Sequence, residues 1–209
     1  MITDQFDKYH EWYYQNVTEK VKYLGIQTLK NVSDLWNYQE ILHQLKPAVI
    51  IEFGSYQGGS ILYLKDMAKQ SYALTVDINH VPDRNKREDI EYMVADSTSN
   101  KVTNKIYDIR KNHPGTAFFI LDSCHEKRHV LNELIGIRQV TKPGDYIIVE
   151  DTNINGHPVN LAHGPGPYEA LQEYMLMYPG DYHRDIDREQ KFGFTFAAYL
   201  IRLSEGTNG

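Results

Sequence analysis

The sequence predicts an α/β fold, a doubly wound and mostly parallel sheet with helices on both faces. Two observations predict it. Short apolar runs alternate with segments of helical periodicity from residue 48 onward, the pattern of a parallel sheet with crossover helices. One run, Val49-Ile50-Ile51-Glu52-Phe53, passes through Gly54-Ser55-Tyr56-Gln57-Gly58-Gly59 straight into a helical pattern carrying Ile61, Leu64 and Ala68. That strand–glycine turn–helix unit is the context in which a nucleotide-type ligand is bound.

The elements follow in order. Residues 1 to about 46 read as a helical N-terminal cap, with Trp12, Tyr13, Val17, Val21 and Leu24 at roughly helical spacing. Asp34 is a candidate cap for a second helix bearing Leu35, Tyr38, Ile41, Leu42 and Leu45, stopped by Pro47. The main unit then spans 47–209, with strands expected at 48–53, 73–77, 91–95, 117–122 and 145–150 and helices at 59–70, 126–140 and 167–178. Pro114-Gly115, Pro143-Gly144 and Pro179-Gly180 punctuate the pattern. Tyr182 to Glu189 and Phe194 to Arg202 read as two strands joined without a helix, an antiparallel edge pair.

Composition narrows the function. The 209 residues suffice for one domain with a substantial core. A net charge of −6 without a basic run excludes nucleic acid as the main partner. The single cysteine, Cys124, cannot form an intramolecular disulfide, and no apolar run is long enough for a bilayer. No signal-peptide pattern opens the chain, so a cytoplasmic protein without membrane partners is expected.

The glycine turn argues against a dinucleotide. A G-x-G-x-x-G motif needs its second glycine so that backbone can approach a pyrophosphate, and that position is Tyr56. A nucleoside cofactor without pyrophosphate, such as S-adenosylmethionine, fits better. In an open α/β sheet the ligand lies beyond the carboxyl ends of the strands. Glu52, Asp77 and Asp96 all stand at such ends. Asp77, 25 residues beyond Glu52, is placed to accept ribose hydroxyls, near the usual spacing of about 20. The alternative for Gly54 and Gly58 is a plain tight turn, and for Asp77 a solvated strand end.

Asp122 and Glu150 end two successive predicted strands, and Asp151 follows directly. Adjacent parallel strands lie about 4.8 Å apart, so such side chains can converge. Three convergent carboxylates need a cation, and oxygen ligands suit Mg²⁺. Consecutive strand residues point to opposite faces, so Glu150 and Asp151 can share an ion only if the chain turns there. The alternative is that Asp122 caps the helix starting near Glu126 and that Glu150-Asp151 opens a loop.

Glu52-Phe53-Gly54-Ser55-Tyr56-Gln57-Gly58-Gly59-Ser60 resembles motif I of class I methyltransferases, especially of the catechol O-methyltransferase type. Leu121-Asp122-Ser123-Cys124-His125 and Val149-Glu150-Asp151-Thr152-Asn153-Ile154-Asn155-Gly156-His157-Pro158 resemble the cephalosporin hydroxylase family and related macrolide-sugar O-methyltransferases. Trp36-Asn37-Tyr38-Gln39-Glu40 and Gly164-Pro165-Gly166-Pro167 do so too. The likeness covers roughly residues 25–202, nearly the whole chain.

The resemblance implies a Rossmann-like, seven-stranded sheet with one reversed edge strand, and a Mg²⁺-dependent S-adenosylmethionine O-methyltransferase acting on a small-molecule hydroxyl, such as that of a sugar or antibiotic intermediate. It implies that Glu52, Gly54, Ser55, Tyr56, Gly58, Ser60, Asp77, Asp96, Ser97 and Asp122 bind the cofactor, with Glu52 toward the methionine ammonium and Asp96 and Ser97 beside the adenine. The metal ligands are then Asp122, Glu150 and Asp151, and His125 is the general base. Competing readings are a nicotinamide-dependent oxidoreductase or hydroxylase and a non-catalytic module keeping the cofactor fold. His80 reads as a surface loop residue, and the stiff segment Asn153 to Pro167 as a lid whose His157 and His163 pack within the loop. Of Trp12, Tyr13, Tyr14 and Trp36, an ordinary helical core role is expected, with lining of an acceptor pocket as the other option. A homo-oligomer is left open by the sequence.

Overall fold

The computed structural model describes residues 2–204. Its core is a seven-stranded sheet in the order β5-β4-β3-β6-β7-β9-β8. The strands are β3 (Val49–Phe53), β4 (Tyr72–Asp77), β5 (Glu91–Val94), β6 (Ala117–Leu121), β7 (Tyr146–Val149), β8 (Tyr182–Arg184) and β9 (Ala198–Arg202). β3 to β7 pair in parallel, and β9 runs antiparallel to both β7 and β8. The fold is therefore the expected one, with the antiparallel pair at one edge.

The chain winds outward from β3 through β4 to β5, then returns to place β6 on the other side of β3. The order reverses at β3 and β6, where a crevice opens beyond the strand ends. Both central strands are buried along their whole length, which explains their continuous apolar runs. Pleat alternation divides the core. Ile51, Phe119 and Ile147 meet the face covered by α4 (Asn100–Asn112), α5 (Lys127–Arg138) and α6 (Pro167–Met177). Ile50, Phe118, Ile120 and Ile148 meet α2 (Val32–Leu45) and α3 (Gly59–Met67).

Four sequence expectations need correction. The N-terminal 46 residues are not all helical. Between α1 (Ile2–Asn16) and α2 lies a hairpin of β1 (Lys22–Tyr23) and β2 (Ile26–Gln27). Its two-residue turn, Leu24-Gly25, has positive φ at both positions, the geometry that joins twisted strands. Second, Asp34 does not cap α2. Asn31 does, accepting from the Ser33 amide at 3.3 Å. Asp34 is buried within the helix, accepting the Tyr199 hydroxyl and the Phe196 amide. Third, α4 fills a stretch with no expected element. Its apolar stripe is thin, Val102, Ile106 and Ile109, on an otherwise polar helix. Fourth, β8 and β9 are joined through a short helix, α7 (Ile186–Gln190), capped by Asp185.

The N-terminal helix is held against the segment that precedes β9 by aromatic contacts. His10 stacks on Phe194 and Phe196 with ring centroids at 4.3 and 5.1 Å. Asn153 Nδ2 lies 2.9 Å from His10 Nε2, so the imidazole accepts and is neutral. Burial pulls its pKa down to about 4. Since the unfolded chain binds this proton near pH 6.5, the contribution is full above that value and fades as pH falls toward 4. Wild type relative to His10→Gln should lose stability on the order of 2–3 kcal/mol across this window. Denaturant unfolding at pH 7 and pH 4.5 checks this, and an unchanged difference would count against a buried neutral ring.

Candidate active site

A cavity of about 750 Å³ opens at the carboxyl ends of β3, β4 and β6. Its floor is backbone geometry. The Gly54 amide donates to Val76 O, the Asp122 amide to Phe53 O and the Glu150 amide to Leu121 O, at 2.8, 2.8 and 3.0 Å. These bonds extend the ladder past the strand ends. Gly54 has φ +91°, and a Cβ there would sit 1.9 Å from the Asp122 carbonyl oxygen. The β3 turn can therefore pass over the end of β6 only as glycine.

Asp77 shapes the glycine turn. Its Oδ2 accepts the Ser55 and Tyr56 amides at 2.8 and 3.0 Å, and its Oδ1 accepts the Asn79 amide at 2.8 Å. Tyr56, held with φ +46°, lines the cavity and donates its hydroxyl to Gln27 Oε1 at 3.0 Å. Gly58 begins α3 in the left-handed region. Gly59 lets the N-terminal hairpin rest on the turn, because a Cβ would meet the Thr28 side chain at 2.7 Å.

The candidate cofactor residues divide into two layers. Gly54, Tyr56, Ser60, Asp77, Ser97 and Asp122 line the cavity. Glu52 does not. It is fully buried one layer below, accepting hydroxyls from Ser60 and Thr75. Burial raises its pKa to about 7, against the pull of Lys30, Ser60 and Thr75. Asp96 also falls outside the lining. It is exposed and folds back on the Thr98 amide and hydroxyl at 2.8 and 2.7 Å, a local turn that competes with any ligand role. Ser55 turns its hydroxyl to Thr75 at 2.6 Å, inside the protein. Ser97 instead joins Ser123, His129 and buried Glu133 in a polar nest at one end of the cavity.

At the other end lies a charged cluster. One ligand atom each from Asp122, His125 and Asp151 falls within 4.8 Å of the others. His125 Nε2 is 3.3 Å from Asp122 Oδ1 and 3.1 Å from Asp151 Oδ2. Asp151 has φ +53°, so the chain does turn after β7 and brings this carboxylate to the cavity. Glu150, expected as a third ligand, stands apart from these three groups in the structure. It keeps the pleat direction of Ile148 and points beneath the cavity, accepting the Tyr38 hydroxyl at 2.6 Å. Its second partner is Lys30, whose ammonium lies 2.7 Å from Glu150 Oε1 and bonds Asp122 Oδ2.

Lys30 is 2% exposed and carried no sequence signal, since a lone lysine before a helix reads as surface. The electrostatic argument did require a cation here. Burial alone would lower the Lys30 pKa, but Asp122 and Glu150 raise it. Burial pushes Asp151 up to about 6 and Glu150 upward, while Lys30 and His125 hold Asp122 low despite its burial. Burial would also depress His125, but the bond to Asp122 and the charge of Asp151 prevail and raise it to about 9.

The opposite wall comes from the N-terminal segment, through Tyr14, Thr18, Glu19, Thr28 and Leu29. Tyr14 is thus the lining aromatic, whereas Tyr13 is core and Trp12 and Trp36 are exposed. His80 is an exposed loop residue, as expected, and it also stands on the cavity lining. No residue of the 153–167 segment lines it. That loop packs on α6, with His157 Nε2 2.9 Å from Glu169 Oε1, and braces the β6–α5 turn through Lys127 N to Pro165 O at 3.1 Å.

Comparison with known proteins fixes the relationship. The rhamnosyl O-methyltransferase/CmcI family model matches residues 15–203. The chain belongs to that family. Rhamnosyl O-methyltransferase of Mycobacterium tuberculosis H37Rv is 45% identical over 206 residues, covering 94% of this chain and 84% of the relative. The Mycobacterium leprae protein of the same name is 43% identical over 205 residues, with 94% and 90% covered. The enzyme class expected from the sequence, an O-methyltransferase, is that of the family. Among solved structures, ligand-free CmcI superposes with a TM-score of 0.70 at 19% identity, over 90% of this chain and 78% of CmcI. MycE, solved with Mg, SAH and mycinamycin VI, gives 0.60 at 14% identity, over 83% of this chain and 50% of MycE. These structural likenesses establish the shared fold. No helix among the described residues is long and apolar enough to cross a membrane.

The close approach at Gly54 yields a test. Gly54→Ala must displace the β6 end that carries Asp122, and should cost more than about 3 kcal/mol of folding stability. Chemical denaturation measures this, and a loss below about 1 kcal/mol would mean that the approach is not rigid.

Proposed function

We propose that the protein transfers the methyl group of S-adenosylmethionine to a hydroxyl of a small molecule, with a divalent cation, Mg²⁺, at Asp122 and Asp151. The acceptor favoured by the relatives' name is a rhamnosyl group or a similar sugar. The observation that carries this reading is one cavity holding both the glycine turn and the Asp122–His125–Asp151 cluster. Its volume, about 750 Å³, is in the range of small-molecule sites.

The donor set fits the ion. Two carboxylates offer hard oxygens, and Mg²⁺ commonly takes one or two carboxylates and keeps its remaining positions for water or substrate. When bound, the cation would acidify an acceptor hydroxyl and the sulfonium would supply the methyl group. The chain's own residues do the rest. Asp77 and Gly54 keep the glycine turn open for the nucleoside, and Ser60 and Tyr56 line its path. Glu52 acts on that path only through Ser60. Asp122 and Asp151 fix the imidazole of His125, whose Nε2 is the atom that takes the acceptor's proton. With a cation held by those carboxylates, the field that keeps His125 protonated would be offset, and Nε2 would be left to accept a proton.

Two tests apply. Calorimetric titration should find tight binding of S-adenosylmethionine and its demethylated product, and the absence of heat and of thermal stabilisation with both would refute the reading. His125→Asn keeps size and polarity without basicity. It should lower kcat by about 10²–10⁴-fold and leave product affinity unchanged. Near-full kcat in that variant would remove His125 from proton transfer.

A further inference from the structure

We infer that Glu133 is a positioning residue for cofactor specificity: it draws the hydroxyl protons of Ser97 and Ser123 inward, so that both serines present acceptor oxygens to the cavity and select a nucleobase bearing an amino group over one bearing a carbonyl at the same position. The inference rests on the cofactor reading above, and it concerns the end of the cavity away from the charged cluster. The methyl group must be transferred at the cluster end, where His125 stands. The nucleoside then lies toward Asp77, and the nucleobase beyond it. Ile78, Ala95, Ser97, Ser123 and His129 line that end. Ile78 is 71% exposed and offers an apolar face to a flat ring.

Proton positions set the polarity of this end. Glu133, on α5, is 1% exposed and stands behind the lining. Its Oε1 accepts the Ser97 and Ser123 hydroxyls, each at 2.5 Å. Oε2 has no hydrogen-bond partner among the described residues, so a proton placed there would meet no acceptor, and the form that suits two donors is the carboxylate. Each serine has one hydroxyl proton, and both are committed to Glu133. The 3.4 Å approach of the two serine oxygens therefore carries no hydrogen bond. His129 Nε2 lies 3.0 Å from Ser97 Oγ and 3.1 Å from Ser123 Oγ, and it must donate, because neither serine has a proton left to give. The same nitrogen stands 3.4 Å from Glu133 Oε1, which gives the buried carboxylate a charge partner. The bond to Glu133 in turn raises the pKa of His129 and favours the donor form. A hydroxyl oxygen has two lone pairs. On each serine one is turned to His129 and the other is left for a ligand. The result is a pair of acceptors whose own protons cannot reach the ligand, the complement of an exocyclic amine. A carbonyl oxygen would meet lone pairs on both serines and stay unpaired.

Calorimetric titration with two ligands tests the inference. They are S-adenosylhomocysteine, which carries a 6-amino group, and S-inosylhomocysteine, its 6-oxo counterpart. Wild type should bind the amino ligand roughly 10²-fold more tightly. Glu133→Met keeps the bulk and removes the acceptor, so the serine hydroxyls can turn outward and donate. That variant should weaken the amino ligand, strengthen the oxo ligand and bring the two within about tenfold of each other. A glutamate that merely braces α5 would, when replaced, lower both affinities and leave their ratio as in wild type, and that result overturns the inference.

If Glu133→Met fails to fold, Ser97→Ala/Ser123→Ala decides. Loss of both acceptors should reduce affinity for the amino ligand about tenfold and leave the oxo ligand bound as well as before or better. Equal losses for the two ligands overturn the inference. Wild type that binds both ligands within about threefold of each other overturns the inference and leaves the cofactor reading standing. Wild type that binds neither ligand removes the cofactor reading and the inference together, an outcome distinct from the others.

Discussion

The buried ion cluster of Lys30 with Asp122 and Glu150 is the interaction on which the site depends. Strand parity alone puts Glu52, Asp122 and Glu150 on one face at the carboxyl end of the sheet, under α2 and α3. Burying carboxylates there costs several kcal/mol each unless they are paired and hydrogen-bonded. The chain meets that cost with one ammonium and a set of hydroxyls. Ser60 and Thr75 serve Glu52, Tyr38 serves Glu150, and Lys30 serves Glu150 and Asp122. The network continues outward through α2. Burial and the neighbouring Glu150 push the pKa of Asp34 up, and its carboxyl accepts the Tyr199 hydroxyl of β9. The reversed strand, the first helix of the core and the site are thereby joined by polar contacts as well as by packing.

A second constraint is covalent in origin. Gly54 must lack a side chain because the Asp122 carbonyl occupies the place of its Cβ. The same crossing lets the Asp122 amide continue the ladder with Phe53. The glycine turn and the charged cluster are therefore one rigid object, set by backbone hydrogen bonds at the point where strand order reverses. Asp77 completes it from the next strand by collecting three backbone amides. A carboxylate so engaged organises the turn itself, and of its roughly four lone-pair sites about one is left over, on Oδ1.

The central strands and the glycine turn were legible because burial on both faces leaves a continuous apolar signal, as in Val49–Phe53 and Ala117–Leu121. The Asp122–His125 pair was legible because four consecutive positions leave a strand end together. What escaped the sequence depended on long-range contacts or on weak patterning. The α4 stripe is three residues wide in a polar helix. The Leu24-Gly25 hairpin has strands of two residues each, too short for alternation to register. Lys30 stands 92 residues from Asp122, and nothing local marks it. Asp96 is the opposite case. Its position after β5 fits a ligand role, yet the neighbouring Thr98 captures its carboxylate.

The cavity thus has two walls of different origin. The strand ends supply the turn, the carboxylates and the imidazole, all fixed by ladder bonds and by Gly54. The facing wall, Tyr14, Thr18, Glu19, Thr28 and Leu29, belongs to a segment that the main sheet does not contain. That segment is held instead at separate points: the hairpin against Gly59, His10 between Phe194 and Phe196, and Lys30 in the carboxylate cluster. A change at Tyr14, Thr18 or Glu19 alters the width and polarity of the cavity at positions that do not touch the carboxylate cluster. Lys30 is different, because it is bonded to Asp122. A shift of the β6 end displaces the lysine, and a shift of the lysine disturbs Asp122. Chemistry and shape are coupled in both directions through that pair.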